Sequence, residues 1–115
     1  MEATNQVQRP RLISRVGATE HRIIRKLVDT ILNEGLKIAV WDEEMFQECG
    51  PSSQRSRILN AIAHTGESYL YLWQNNTRLG MFQLIHGNDE DVISDLSDNP
   101  LCNRIWREVT DALGM

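Results

Sequence analysis

The sequence predicts an α+β domain, an antiparallel or mixed sheet of three or four strands packed against about three helices. Three observations carry this. Two or three segments repeat apolar residues at helical three- and four-residue steps, others alternate them at the two-residue step of a strand, and Gly, Asn and Pro separate the segments. At 115 residues with 41% hydrophobic and 24% charged content, the chain has the size and composition of one ordinary domain. Repeat arrays, multidomain enzymes and fully disordered tails are poor readings of this length and composition.

The elements follow in order. Residues 1–17 are rich in Gln, Asn, Arg and Thr, lack aromatics, and read as a flexible basic arm, leaving 18–115 as a single α+β domain. Thr19 is the expected N-cap of a first helix. Ile23, Ile24, Leu27, Val28, Ile31 and Leu32 form its apolar stripe, and Gly35 occupies the position of a C′ glycine. Leu36–Trp41 alternates Leu36, Ile38 and Val40 on one face, as a half-buried strand does. Asp42-Glu43-Glu44 turns the chain, and Met45-Phe46-Gln47 is expected to return as a short strand. Gly50-Pro51-Ser52-Ser53 then reads as a break that supplies a serine N-cap. Ile58, Leu59, Ile62 and Ala63 mark a second helix, stopped by Gly66. Ser68–Trp73 and Leu79–His86, joined through Asn75-Asn76, read as a hairpin with apolar groups on both faces and hence as the sheet's centre. A helical turn is expected through Asp91–Leu96. Asn99-Pro100 then opens a last helix with Leu101, Ile105, Trp106, Val109 and Leu113 on its buried stripe.

Charge is unevenly placed. Residues 1–28 hold Arg9, Arg11, Arg15, Arg22, Arg25 and Lys26 against Glu2 and Glu20, whereas 86–99 holds five acids and no Lys or Arg. The net charge of −4 argues against a dedicated nucleic-acid binder. No stretch approaches the ~20 apolar residues of a membrane span. The first fifteen residues lack the apolar core of a secretory signal. Cys49 and Cys102 form neither a disulfide framework nor a zinc pattern, which fits reduced thiols in a cytoplasm.

The run Gly80–Asn99 carries a resemblance. Gly87, Asn88, Asp89, Asp91, Val92, Ile93, Ser94, Asp95 and Asn99 match a Gly-Asn-Asp…Asp-Val-Ile-Ser-Asp segment that follows a strand. In this the chain resembles a set of small proteins encoded by bacteriophages and prophages. Leu96 and Ser97 stand where Tyr-Thr is usual in that set, and His86 where an aromatic often precedes the glycine. The resemblance implies a phage or prophage gene expressed in the bacterial cytoplasm. It supplies no mechanism.

Several residues invite chemistry, and each has a plainer reading. Asp89, Asp91 and Asp95 with His86 are the candidate metal ligands or acid-base pair, since a hard cation needs converging oxygens. Reading Asp89 as the first position of an EF-hand loop puts Ile93, Ser94 and Pro100 at its fifth, sixth and twelfth positions, so that motif fails. Capping by Asn88, Asp89, Asp98 and Asn99 accounts for the same residues more simply. His86 reads equally as a strand-end histidine hydrogen-bonded to its loop. His21 and His64 sit in a first and a last helical turn. No nucleophile elbow, HExxH or phosphate loop is present, and neither cysteine has a His or Lys beside it. No catalytic residue and no cofactor is expected. Tyr69, Tyr71 and Trp73 share one strand face, which suits either core packing or an exposed partner-binding platform. Arg22, Arg25 and Lys26 are candidate partner contacts on the basic end.

The expectation is therefore a non-enzymatic phage-type accessory protein acting by protein–protein contact, with a host-encoded partner in view. Self-association through its positive and negative ends stays open. The alternatives are a small metal-binding domain or hydrolase using 88–98 with His86, and a weak nucleic-acid binder using the arm.

Overall fold

The computed structural model describes residues 17–115. The basic arm expected over 1–17 lies outside them, apart from Gly17, which belongs to the first helix as its N-cap. The described chain forms α1 (Ala18–Asn33), β1 (Lys37–Asp42), β2 (Gln47–Ser52), α2 (Arg55–Ala63), β3 (Glu67–Gln74) and β4 (Thr77–Ile85). A 3-10 turn (Asp89–Asp91), β5 (Ile93–Leu96) and α3 (Pro100–Leu113) complete it. The fold is α+β. Its five strands lie in the order β2-β1-β3-β4-β5 with every pairing antiparallel, so β3 is the central strand and the β3–β4 hairpin the sheet's middle.

One face of the sheet is sealed. Ile38, Val40, Leu70, Leu72, Phe82 and Leu84 are buried there against α1, α2 and α3 in a single apolar cluster. From α1 come Ile23, Ile24, Leu27, Val28 and Ile31, from α2 Ile58 and Ile62, and from α3 Cys102, Ile105 and Val109. Each fully buried large aliphatic stabilises the fold by about 1.5–3 kcal/mol against its exposed state. Arg55 ties α2 to Asp29 of α1 (Nε–Oδ1 2.5 Å), and Arg104 of α3 holds Glu34 at the end of α1. These solvent-screened pairs contribute little beside the core.

Several boundaries differ from the sequence expectation. Helix α1 begins at Ala18, so Thr19 lies within it, and no side chain caps it. The returning strand is Gln47–Ser52, running through the expected Gly50-Pro51 break. Pro51 is tolerated because β2 is an edge strand, where a missing N–H costs no ladder bond. Neither serine is the N-cap of α2. Gln54 is, while the Ser52 hydroxyl accepts its N–H at 3.0 Å. That helix ends at Ala63 with His64 at its C-cap, short of Gly66. The expected helical turn over Asp91–Leu96 is instead a 3-10 turn ending at Asp91 and a fifth strand paired to β4. Four residues are too few for a period to separate helix from strand.

The α3 start is as the sequence predicts. Pro100 opens the helix, and the Asn99 side chain accepts the Cys102 N–H (2.8 Å) while donating to the Leu79 carbonyl (3.1 Å). This docks the helix N-terminus on β4 at Gly80, where a Cβ would collide with the Cys102 sulfur. Gly80→Ala should therefore cost about 1–3 kcal/mol in urea unfolding, the usual range for overpacking. In a Cys102→Ala background the same substitution should cost less. Equal costs in both backgrounds would place the strain elsewhere.

Candidate interaction surface

All three helices among the described residues pack on one face of the sheet, and the opposite face is aromatic. Residues paired across antiparallel strands share a face, so the register reads as rows. Lys37, Trp73 and Arg78 form the first row; Ala39, Tyr71 and Met81 the second. Trp41, Tyr69, Gln83 and Asp95 form the third, with Glu67 and Ile85 the fourth. Trp41, Tyr69, Tyr71, Trp73 and Met81 are half-buried. The three β3 aromatics expected as core or platform thus lie on the face of the central strand that the described helices leave open.

These rings are held in place. Trp41 meets Tyr71 edge-to-face, with centroids 6.3 Å apart at 86°. The Arg78 guanidinium lies over the Tyr71 ring, 4.6 Å from its centroid. Tyr69 donates its hydroxyl proton to the Glu67 carboxylate at 2.8 Å, and the Gln83 amide donates to the same oxygen at 2.6 Å. That hydrogen bond, then burial and the Glu67 charge, hold the Tyr69 phenol above its ordinary value, so it stays a neutral donor.

The β1–β2 hairpin ends in an apolar tip. Met45 and Phe46 are 56% and 62% exposed. The Asp42 carboxylate accepts the N–H groups of Glu44 (2.9 Å) and Phe46 (2.8 Å), and Met45 adopts φ +67°, a left-handed conformation that a side chain rarely takes. The turn thus presents two exposed apolar side chains from a fixed backbone.

The other residues singled out lie elsewhere. Arg22 and Arg25 are exposed on α1, on the far side of the helix layer from the aromatic face, so the two sets of candidate partner contacts do not form one surface. Lys26 lines a groove with Thr30, Asn33, Glu34 and Glu108 between α1 and α3. Asp89 and Asp91 are exposed on the 3-10 turn, and Asp95 pairs with Gln83 on β5. Among the described residues no group of three or more His, Cys, Asp or Glu is arranged to hold a metal ion. Among the described residues the carboxylate within ion-pair distance of the His86 ring comes from outside the acidic loop. The ring Nδ1 lies 3.8 Å from Glu20 of α1, both side chains almost fully covered.

Glu20 is the residue that sequence reasoning missed. Its buried carboxylate accepts the N–H of Gly87 at 2.8 Å and of Asp89 at 2.6 Å, binding the turn after β4 to the start of α1. It satisfies backbone donors that Asn88 and Asp89 were expected to cap locally. An acid three residues into a helix is a common sequence signal, and nothing in linear order tells that this one points across the fold. Cys102 is buried, and burial pushes its thiol up, against hydrogen bonds from the Met81 backbone and the Asn99 side chain. A neutral covered thiol is a poor nucleophile.

No protein-family model matches the chain, and no curated protein or solved structure shows significant similarity to it. No helix among the described residues is long and apolar enough to cross a membrane.

Two measurements check this description. Glu20→Ala strands two backbone donors and should cost about 2–4 kcal/mol, while Glu20→Gln, keeping one acceptor oxygen, should cost less. Faster amide exchange at Gly87 and Asp89 in the alanine variant should accompany the loss. The second concerns His21, whose pKa is held below the ordinary 6.5 by burial first, then by Arg25 and Arg55. The unfolded chain therefore takes up this proton more readily than the folded one. The stability His21 contributes is complete above 6.5 and falls as pH drops below it. His21→Gln should flatten that part of the stability–pH curve; an unchanged slope between wild type and variant would refute the assignment.

Proposed function

We propose that this protein is a non-enzymatic accessory protein acting by protein–protein contact through the aromatic face that the described helices leave open, together with the exposed Met45-Phe46 tip. The observation that carries the reading is the asymmetry of the sheet. Leu70 and Leu72 of β3 are fully buried under helices, while Tyr69, Tyr71 and Trp73 of the same strand stand half-exposed among fixed neighbours. Contiguous apolar surface of this kind marks an interaction site. Tyr, Trp, Met and Arg are also the residue types enriched in interface centres. The resemblance to phage and prophage proteins adds a host-encoded factor in the bacterial cytoplasm as the class of partner.

Nucleic acid fits this face less well. The ring of Tyr71 on which a base would stack carries Arg78, and Glu67 and Asp95 place like charge in the path of a phosphate backbone.

The test is site-specific photo-crosslinking in bacterial lysate. A photoreactive phenylalanine analogue in place of Phe46 or Tyr71 should give discrete crosslinked products, and the same group in place of Arg25 should give none. Products from position 25 alone would move the interaction surface to the helix layer and overturn the proposal.

A further inference from the structure

The uncovered face carries its charges at its two ends. Lys37 and Arg78 flank Trp73 where β3 turns into β4. At the other end stand Glu67 and, one row in, Asp95 beside Gln83, with Glu43 and Glu44 following β1 at the same edge. Between them lie Ala39, Trp41, Tyr69, Tyr71 and Met81, none of which carries a formal charge at neutral pH.

A surface with a positive end, an apolar middle and a negative end is complementary to itself. Turned over about an axis that runs across the strands in the plane of contact, a second copy presents its acidic end to the first copy's basic end, twice. We propose that the occupant of this face is a second copy of this chain, packed sheet to sheet as a two-fold dimer. In it Lys37 and Arg78 of each copy meet the Glu67–Asp95 end of the other. The inference rests on the reading of this face as the interaction surface, and puts a second copy in the place that a host-encoded partner would otherwise fill. Such an interface is isologous, each contact occurring twice, and makes the aligned two-sheet sandwich common among antiparallel sheets, ~10 Å thick between backbones.

The size of the face sets the strength. Strands ~4.8 Å apart and rows ~6.6 Å apart make it about 20 Å on each side, roughly 400 Å² per copy. That is the lower end of specific interfaces, so the dimer is expected to be weak, with a Kd in the micromolar range. Its charged ends face water, so added salt weakens it.

Sedimentation equilibrium of the full chain from about 5 to about 500 μM tests this, with charge reversal as the discriminating step. Wild type, 13.2 kDa as a monomer, should pass to twice that mass as concentration rises. Lys37→Glu with Arg78→Glu makes both ends acidic, and Glu43→Lys, Glu44→Lys and Asp95→Lys together make both ends net basic; each multiple variant alone should remain monomeric. Mixed in equal amounts, the two should recover the dimer, because acidic ends then meet basic ends at both contacts. Thermal melts of the variants separate lost association from lost folding, and recovery on mixing requires folded partners. A wild type that stays monomeric throughout the range overturns the second-copy proposal. If crosslinking from Phe46 or Tyr71 still captures another protein, the interaction surface itself survives that result. Reversed variants that self-associate as wild type does also overturn it, and so does a mixture that stays monomeric.

Discussion

A five-stranded sheet offers two faces, and the described helices cover one. Everything else in the structure adjusts to that constraint. Helices α1, α2 and α3 converge on Ile38, Val40, Leu70, Leu72, Phe82 and Leu84, and these exclude water completely or nearly so. The other face must keep the aromatic residues of its central strand ordered. It does so by packing them against each other, with Trp41 edge-on to Tyr71 and Arg78 above it, and by satisfying the Tyr69 hydroxyl through Glu67. Polar and charged residues at the ends of the rows keep the apolar middle bounded.

Closure of the sealed layer depends on a contact between distant parts of the chain. Glu20, in the first turn of α1, reaches the turn after β4 and accepts two backbone N–H groups there. A buried carboxylate alone would be costly, and charge-assisted hydrogen bonds offset that cost. The same contact positions the 3-10 turn, beyond which Val92 is fully buried and β5 pairs with β4. The acidic segment 88–98, which by composition invited a cation, is shaped by an acid from outside it.

The elements with long periods were legible in the sequence, and short or distant features were not. The α1 stripe, the β3–β4 hairpin through Asn75 and the Asn99-Pro100 helix start all follow from local chemistry that no tertiary contact overrides. The β5 strand was missed because four residues containing Ser94 and Asp95 give no pattern, and only the β4 edge makes them a strand. The path of β2 through Pro51 was missed because proline signals a break unless the strand is known to lie at an edge. Of the candidate site, Tyr69, Tyr71 and Trp73 were visible as one strand face. Whether that face was sealed or open depended on where the helices went. Trp41, Arg78 and Met81 join it only through register.

The charge pattern changes meaning in the same way. Along the chain, positive charge gathers in the first quarter and negative charge near residues 86–99, which suggests one end of the molecule meeting another. In the fold, Arg22 and Arg25 lie on the helix layer, behind the sheet from the aromatic rows. The polarity of the open face is assembled instead from Lys37 of β1, Arg78 of β4, Glu67 of β3 and Asp95 of β5, which are spread through the sequence. Because these side chains extend from paired strands, and because the rings between them are fixed before any partner arrives, little side-chain freedom is lost on contact. A face that is small in area can therefore still be selective. Its specificity comes from the opposition of its two charged ends, and its affinity from the aromatic rows between them.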